Sequence, residues 1–166
     1  MIKPADPVRL PCCGVFAVFL ADPKLDFDSV FDLTKQELKR TERWRGTMLW
    51  REVIGMLDAI GVRHSQEACN VSIGKTLQRA IREGDFIDGR QYVIRVSGHF
   101  LTIKGELCYD QVNPRGRHFS EYRHRRSKIT HVAKVARVRR QGSAQKVVGS
   151  NLAERATNPK LNHSTL

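Results

Sequence analysis

Residues 91–112, QYVIRVSGHFLTIKGELCYDQV, decide how this chain folds. Three runs rich in β-branched and aromatic residues, QYVIRV (91–96), HFLTIK (99–104) and LCYDQV (107–112), are separated by Ser97-Gly98 and by Lys104-Gly105-Glu106. Short runs of this texture divided by glycine-containing turns predict an antiparallel meander. The second turn carries a further consequence. With Lys104 and Gly105 as its two central residues, His99 lies directly opposite Asp110 on one face of the hairpin. With Gly105 and Glu106 in the centre the pair stays on that face in a diagonal relation, whereas a three-residue loop sends the two side chains to opposite faces.

Upstream of the meander the apolar spacing is helical. GVFAVFLA (14–21) is apolar on nearly every side and reads as a short central helix ended by Asp22-Pro23. Phe27, Val30, Phe31 and Leu38 predict an amphipathic helix over about 27–41. Thr47 is the candidate N-cap of a third, with Leu49, Trp50, Val53, Ile54, Leu57 and Ile60 as its stripe and Gly61 as its stop. A shorter helix is expected from Ile73 to Glu83, closed by Gly84. KITHVAKVARV (128–138) fits a further strand or, by its spacing of three at Val132, Val135 and Val138, a helix. Helices first and strands afterwards define an α+β class, with N-terminal helices packed on an antiparallel β-meander.

Two adjacent thiols, Cys12 and Cys13, stand at the mouth of the central helix. A helix N-terminus stabilises a thiolate through its dipole and free amides, an imidazole on a neighbouring strand can hold the proton, and a carboxylate can orient that imidazole. Cys13, His99 and Asp110 therefore form a candidate nucleophile, base and acid. Cys12, Cys69 and Cys108 read as packed core thiols, all four cysteines as free, and Trp44 and Trp50 as core rings either of which could line an acyl-binding cleft. No C-x-x-C or C-x-H spacing is present, so no metal is expected, and no cofactor. Gly74-Lys75-Thr76 has Asn70 where a phosphate loop needs its first glycine, which argues against nucleotide binding.

With these residues in hand, CGVFAVFLA, the Gly46-Thr47 pair before a helix ending LDAIGV, and YVIRVSGHFLTIKGELCYD resemble the small papain-like cysteine peptidases, the bacteriocin-processing type and compact phage-encoded forms among them. The resemblance covers about residues 12–113. It implies a papain-like fold and a Cys–His–Asp hydrolase acting on a protein or peptide substrate, with Cys13 as nucleophile, His99 as base and Asp110 as acid. Such enzymes usually carry a Gln or Asn shortly before the nucleophile to bind the oxyanion. Here the approach is VRLPC, which leaves the Cys13 backbone amide as one donor and Gln111 or Gln66 as candidates for the gap.

The formal charge of +12 is lopsided. Residues 115–166 hold 13 Lys and Arg against Glu121 and Glu154, a net of +11, while residues 1–114 hold 16 against 15. The expected organisation is a domain over 1–140 and a mobile basic and polar tail over 141–166. Arg123, Arg125, Arg126, Lys128, Arg137, Arg139 and Arg140 are candidate nucleic-acid contacts, and they support an alternative function: an inert papain-fold scaffold bound to nucleic acid or to a virion-like assembly. His64, His118, His124, His131 and His163 show no partner spacing and read as surface residues. Neither a secretory signal nor a membrane-length apolar run is apparent, so a cytoplasmic protein without membrane contact is expected, in a host cell or virion if phage-encoded.

Overall fold

The apolar run after Cys13 forms α1 (Cys13–Ala21), a helix with Val15, Phe16, Ala17, Val18 and Ala21 buried and no residue fully exposed. It is covered by α2 (Phe27–Glu37), capped by the Asp26 carboxylate accepting from the Ser29 N–H at 2.9 Å, and by α3 (Trp50–Ala59). In this computed structural model residues 12–22, 24–66, 72–87 and 89–136 are described. Cys69, His163, the candidate contacts Arg137, Arg139 and Arg140, and the expected tail over 141–166 lie outside them.

Thr47 is not the cap of α3. Leu49 occupies that position, and its N–H is taken at 2.8 Å by Glu52, a carboxylate reaching back from the first turn. The helix expected over 73–83 is shorter, α4 (Leu77–Arg82). Residues ahead of it turn instead, and Thr76 pairs with Lys128 before its hydroxyl accepts from the Arg79 N–H.

Six antiparallel strands form one sheet: β1 (His64–Ser65), β2 (Gln91–Val96), β3 (His99–Lys104), β4 (Leu107–Tyr109), β5 (Arg117–His118) and β6 (Ile129–Val135), in the spatial order β1-β6-β2-β3-β4-β5. The chain is thus α+β with an antiparallel sheet. The β3–β4 turn is centred on Gly105 and Glu106, since Lys104 faces Leu107 and Thr102 faces Tyr109. Gly105 has φ of 60°, the sign that a II′ turn requires at its first central position. His99 and Asp110 accordingly stand in the diagonal relation, not directly opposite each other.

Both faces of the sheet are covered. Val93, Phe100 and Val135 pack with α1, α3 and Val30 of α2, while Ile94, Leu101, Ile103 and Ile129 pack with Leu77 and Ala80 of α4, Phe119 and Tyr122. The first residue of β3, His99, comes at the end of the sheet where Val96 is its partner and Ile129 lies beyond.

Candidate active site

Cys13 is the first residue of α1, and Cys12 is the residue that precedes it with no side-chain cap. Cys12 is fully buried, under Gly46 of the loop leading to α3, whereas Cys13 is half-buried. The two thiols therefore differ in surroundings although they are neighbours in sequence. Burial, reinforced by the adjacent Cys13, pushes the Cys12 thiol up to about 11. Burial also opposes ionisation of Cys13, but the hydrogen bond with the His99 side chain, the Phe100 backbone N–H, the His99 charge and the Gly14 N–H outweigh it, and this thiol ionises below the ordinary range.

His99 is held from its far side. Its Nε2 donates to Asp110 Oδ2 at 2.9 Å, which leaves Nδ1 as the ring nitrogen for the thiol. Burial disfavours the imidazolium, yet the hydrogen bond to Asp110 and then those of Cys13 lift His99 to about 9. Asp110 is buried, and burial alone would raise it. Hydrogen bonds from His99, Tyr122 and Asn113 instead hold its carboxyl far below the usual carboxylate range. The Tyr122 hydroxyl donates to Oδ2 at 2.6 Å, while Oδ1 accepts from the N–H groups of Val112 and Asn113 and from the Asn113 side-chain amide. Together these groups favour charge on the Cys13 sulfur and on the His99 ring, with a carboxylate fixed behind them.

The structure brings Cys13, His99 and Asp110 together, with His99 between the other two. It adds residues that spacing did not point to. Tyr122 is one. His124, expected at the surface, is another and is instead half-buried: its ring stacks on His99 with centroids 4.4 Å apart and planes 20° apart. Burial and the His99 charge hold its imidazole below the ordinary histidine range. Of the two amides proposed for the oxyanion gap, Gln66 accepts the Trp50 indole N–H at 2.9 Å, and Gln111 accepts from the Cys12 thiol at 3.5 Å. The buried Gln111 carboxamide is therefore anchored beside the start of α1. Cys108 is a buried thiol pushed up to about 12 by burial and the Asp110 charge. Trp50 lies parallel to Phe100 and against His131, and Trp44 packs on Phe31.

Arg123, Arg125, Arg126 and Lys128 sit on the loop that carries Tyr122 and His124, and Arg123, Arg126 and Lys128 are exposed. Among the described residues no group of three or more His, Cys, Asp or Glu is placed to hold a metal ion, and no helix is long and apolar enough to cross a membrane. No protein-family model, curated protein or solved structure matches the chain.

Proposed function

We propose that this chain is a cysteine-dependent amide hydrolase, acting on peptide or isopeptide bonds with a papain-like arrangement of Cys13, His99 and Asp110. The observation that carries the reading is the hydrogen-bonded line from a half-exposed thiol at a helix N-terminus through His99 to the buried Asp110. In this reading the Cys13 thiolate adds to the carbonyl carbon. The oxyanion is met by the Cys13 backbone N–H, with the Gln111 carboxamide beside it. His99 Nδ1 gives its proton to the leaving amine and a thioester remains. Water then loses a proton to His99, adds to the thioester and releases the acid, restoring thiolate and imidazolium. Asp110 keeps the ring oriented throughout and supports its charge whenever it is protonated.

Alkylation by iodoacetamide, read at Cys13 by peptide mass spectrometry, tests the proposal. Near pH 6 the rate at Cys13 is expected to exceed that of an unstructured cysteine peptide at least about tenfold and to drop by a similar factor in His99→Ala. Cys13→Ala should fold normally yet lose labelling by a peptidyl vinyl sulfone. A rate no greater than that of the free peptide defeats the reading.

A second reading has its own support: Arg123, Arg126 and Lys128 are exposed without an ion pair among the described residues. In it the body is an inert scaffold and the basic region binds nucleic acid or a charged assembly. Duplex binding that falls steeply with salt and is unchanged in Cys13→Ala, with Cys13 unreactive, would favour it.

A further inference from the structure

The loop that buttresses the candidate base is also the most cationic stretch in the described structure. Tyr122 reaches Asp110, His124 stacks on His99, and between and after them come Arg123, Arg125, Arg126 and Lys128. The loop is fixed on its other side. The Gln78 N–H donates to the Arg125 carbonyl at 2.8 Å, the Leu77 N–H to the Ser127 carbonyl at 3.0 Å, and Lys128 pairs with Thr76. Lys128 leads directly into Ile129, which pairs with Val96, which pairs with His99. The cationic backbone positions are therefore held at the His99 end of the sheet and are not free to swing away.

Among the described residues no carboxylate pairs with Arg123, Arg125, Arg126 or Lys128. Of the acidic side chains around this end, Asp110 is committed to His99 and Tyr122, Glu121 pairs with Arg117, and Glu106 pairs with His118. The loop on the Cys13 side has the same character: Arg43 and Arg45 are exposed just ahead of Gly46, while its carboxylate Glu42 pairs with Lys35. Folding alone gives no reason to gather unpaired like charges on the 122–128 loop and again on the loop ahead of Gly46, since self-repulsion costs stability. A negatively charged ligand crossing the site would remove that cost.

We propose that the polypeptide accepted at Cys13 is acidic around the bond attacked, and that the 122–128 loop, together with Arg43 and Arg45 on the loop ahead of Gly46, reads that charge. The inference rests on the hydrolase reading and names its substrate class. A polypeptide is favoured over nucleic acid because the loop that carries the cations is the one that holds Asp110 through Tyr122 and stacks His124 on His99, the ring that an amide substrate has to reach.

The experiment is protection of Cys13 from iodoacetamide at low salt by a soluble oligoglutamate, an oligoglutamine of the same length, and a duplex DNA of the same total charge. Oligoglutamate is expected to slow alkylation about tenfold, oligoglutamine not at all, with the effect lost at high salt. The double variant Arg126→Gln, Lys128→Gln should lose the protection, read as the ratio of its own alkylation rates with and without oligoglutamate. Rapid alkylation with equal protection by glutamate and glutamine peptides overturns the substrate class and leaves the hydrolase reading standing. Slow alkylation without any peptide overturns both. Stronger protection by DNA, removed by the same double variant, assigns the loop to nucleic acid and overturns the proposal.

Discussion

Each oxygen of Asp110 meets a different set of donors. Oδ1 closes the turn through Val112 and Asn113, and Oδ2 takes His99 and Tyr122. One carboxylate thus serves as a turn cap and as the partner of an imidazolium, so its charge should appear in stability as well as in reactivity. His99, lifted from 6.5 to about 9, contributes stability that is complete below 6.5 and lost as pH rises through about 9. Asp110, held below its ordinary 3.8, contributes stability that is present above that value and lost as pH falls beneath it. Asp110→Asn should therefore cost most between about pH 4 and 6.5, on the order of 2 kcal/mol, with the gap from wild type narrowing on either side. Urea midpoints across that range check this, and a gap independent of pH would contradict it. On the proposed hydrolase reading, turnover should hold a plateau at neutral pH and fall near 9, as His99 loses the proton needed by the leaving amine, which a pH–rate profile checks. Cys13, His99 and Asp110 were legible because each follows from a local rule: helix start, strand start, hairpin face. Tyr122 and His124 were not, since a loop delivers them and no periodicity connects them to His99.

At the level of elements, the start of α1 depends on the loop before α3. Gly46 has φ of 103°, and a Cβ there would lie 2.6 Å from the Cys12 Cβ, so both backbone and space demand glycine. Gly46→Ala should cost about 2–4 kcal/mol and slow Cys13 alkylation, because relief of the clash displaces the residue from which α1 begins. Gly55, inside α3 with nothing near its missing Cβ, is the control: Gly55→Ala should stabilise by about 0.5–1 kcal/mol and leave Cys13 unchanged. Thermal melts and alkylation rates of the two variants separate the effects, and an unchanged melting point in Gly46→Ala would refute the packing argument. Element boundaries were only partly readable for a related reason. Within the stretch 128–138, residues Ile129–Val135 form a strand: Val132 enters the α4 core and Val135 the α1 core, and the pairing register with β2 shifts between Arg95 and Val96, while Val138 lies outside the described residues. A strand buried on both faces does not show the period of two that marks a half-buried one. β1 and β5, two residues each, are too short to carry any pattern.

Across the whole molecule, the candidate site joins two packed layers through the end of one sheet. Cys13 belongs to the layer of α1, α2 and α3, whereas Tyr122, with its hold on Asp110, belongs to the layer of α4. The α+β class was legible from the order of helical and strand textures. The two-sided burial was not, because α4 is only six residues long and much of its layer comes from irregular chain around Phe119 and Tyr122. Strands β2 and β3 supply side chains to both layers, Val93 and Phe100 to one and Ile94 and Leu101 to the other, so neither layer should unfold while the other keeps its sheet. That coupling can be measured because Trp44 and Trp50 both pack against the α1 layer. Leu77 is fully buried in the opposite layer, and Leu77→Ala should remove about 2–4 kcal/mol. If the layers are one cooperative unit, the full loss appears in the tryptophan fluorescence transition, with no change in its steepness, and coincides with the loss of Cys13 reactivity. A tryptophan midpoint that stays in place while Cys13 reactivity disappears would mean that the α4 layer opens alone. The base and acid would then be held by a separately unfolding unit.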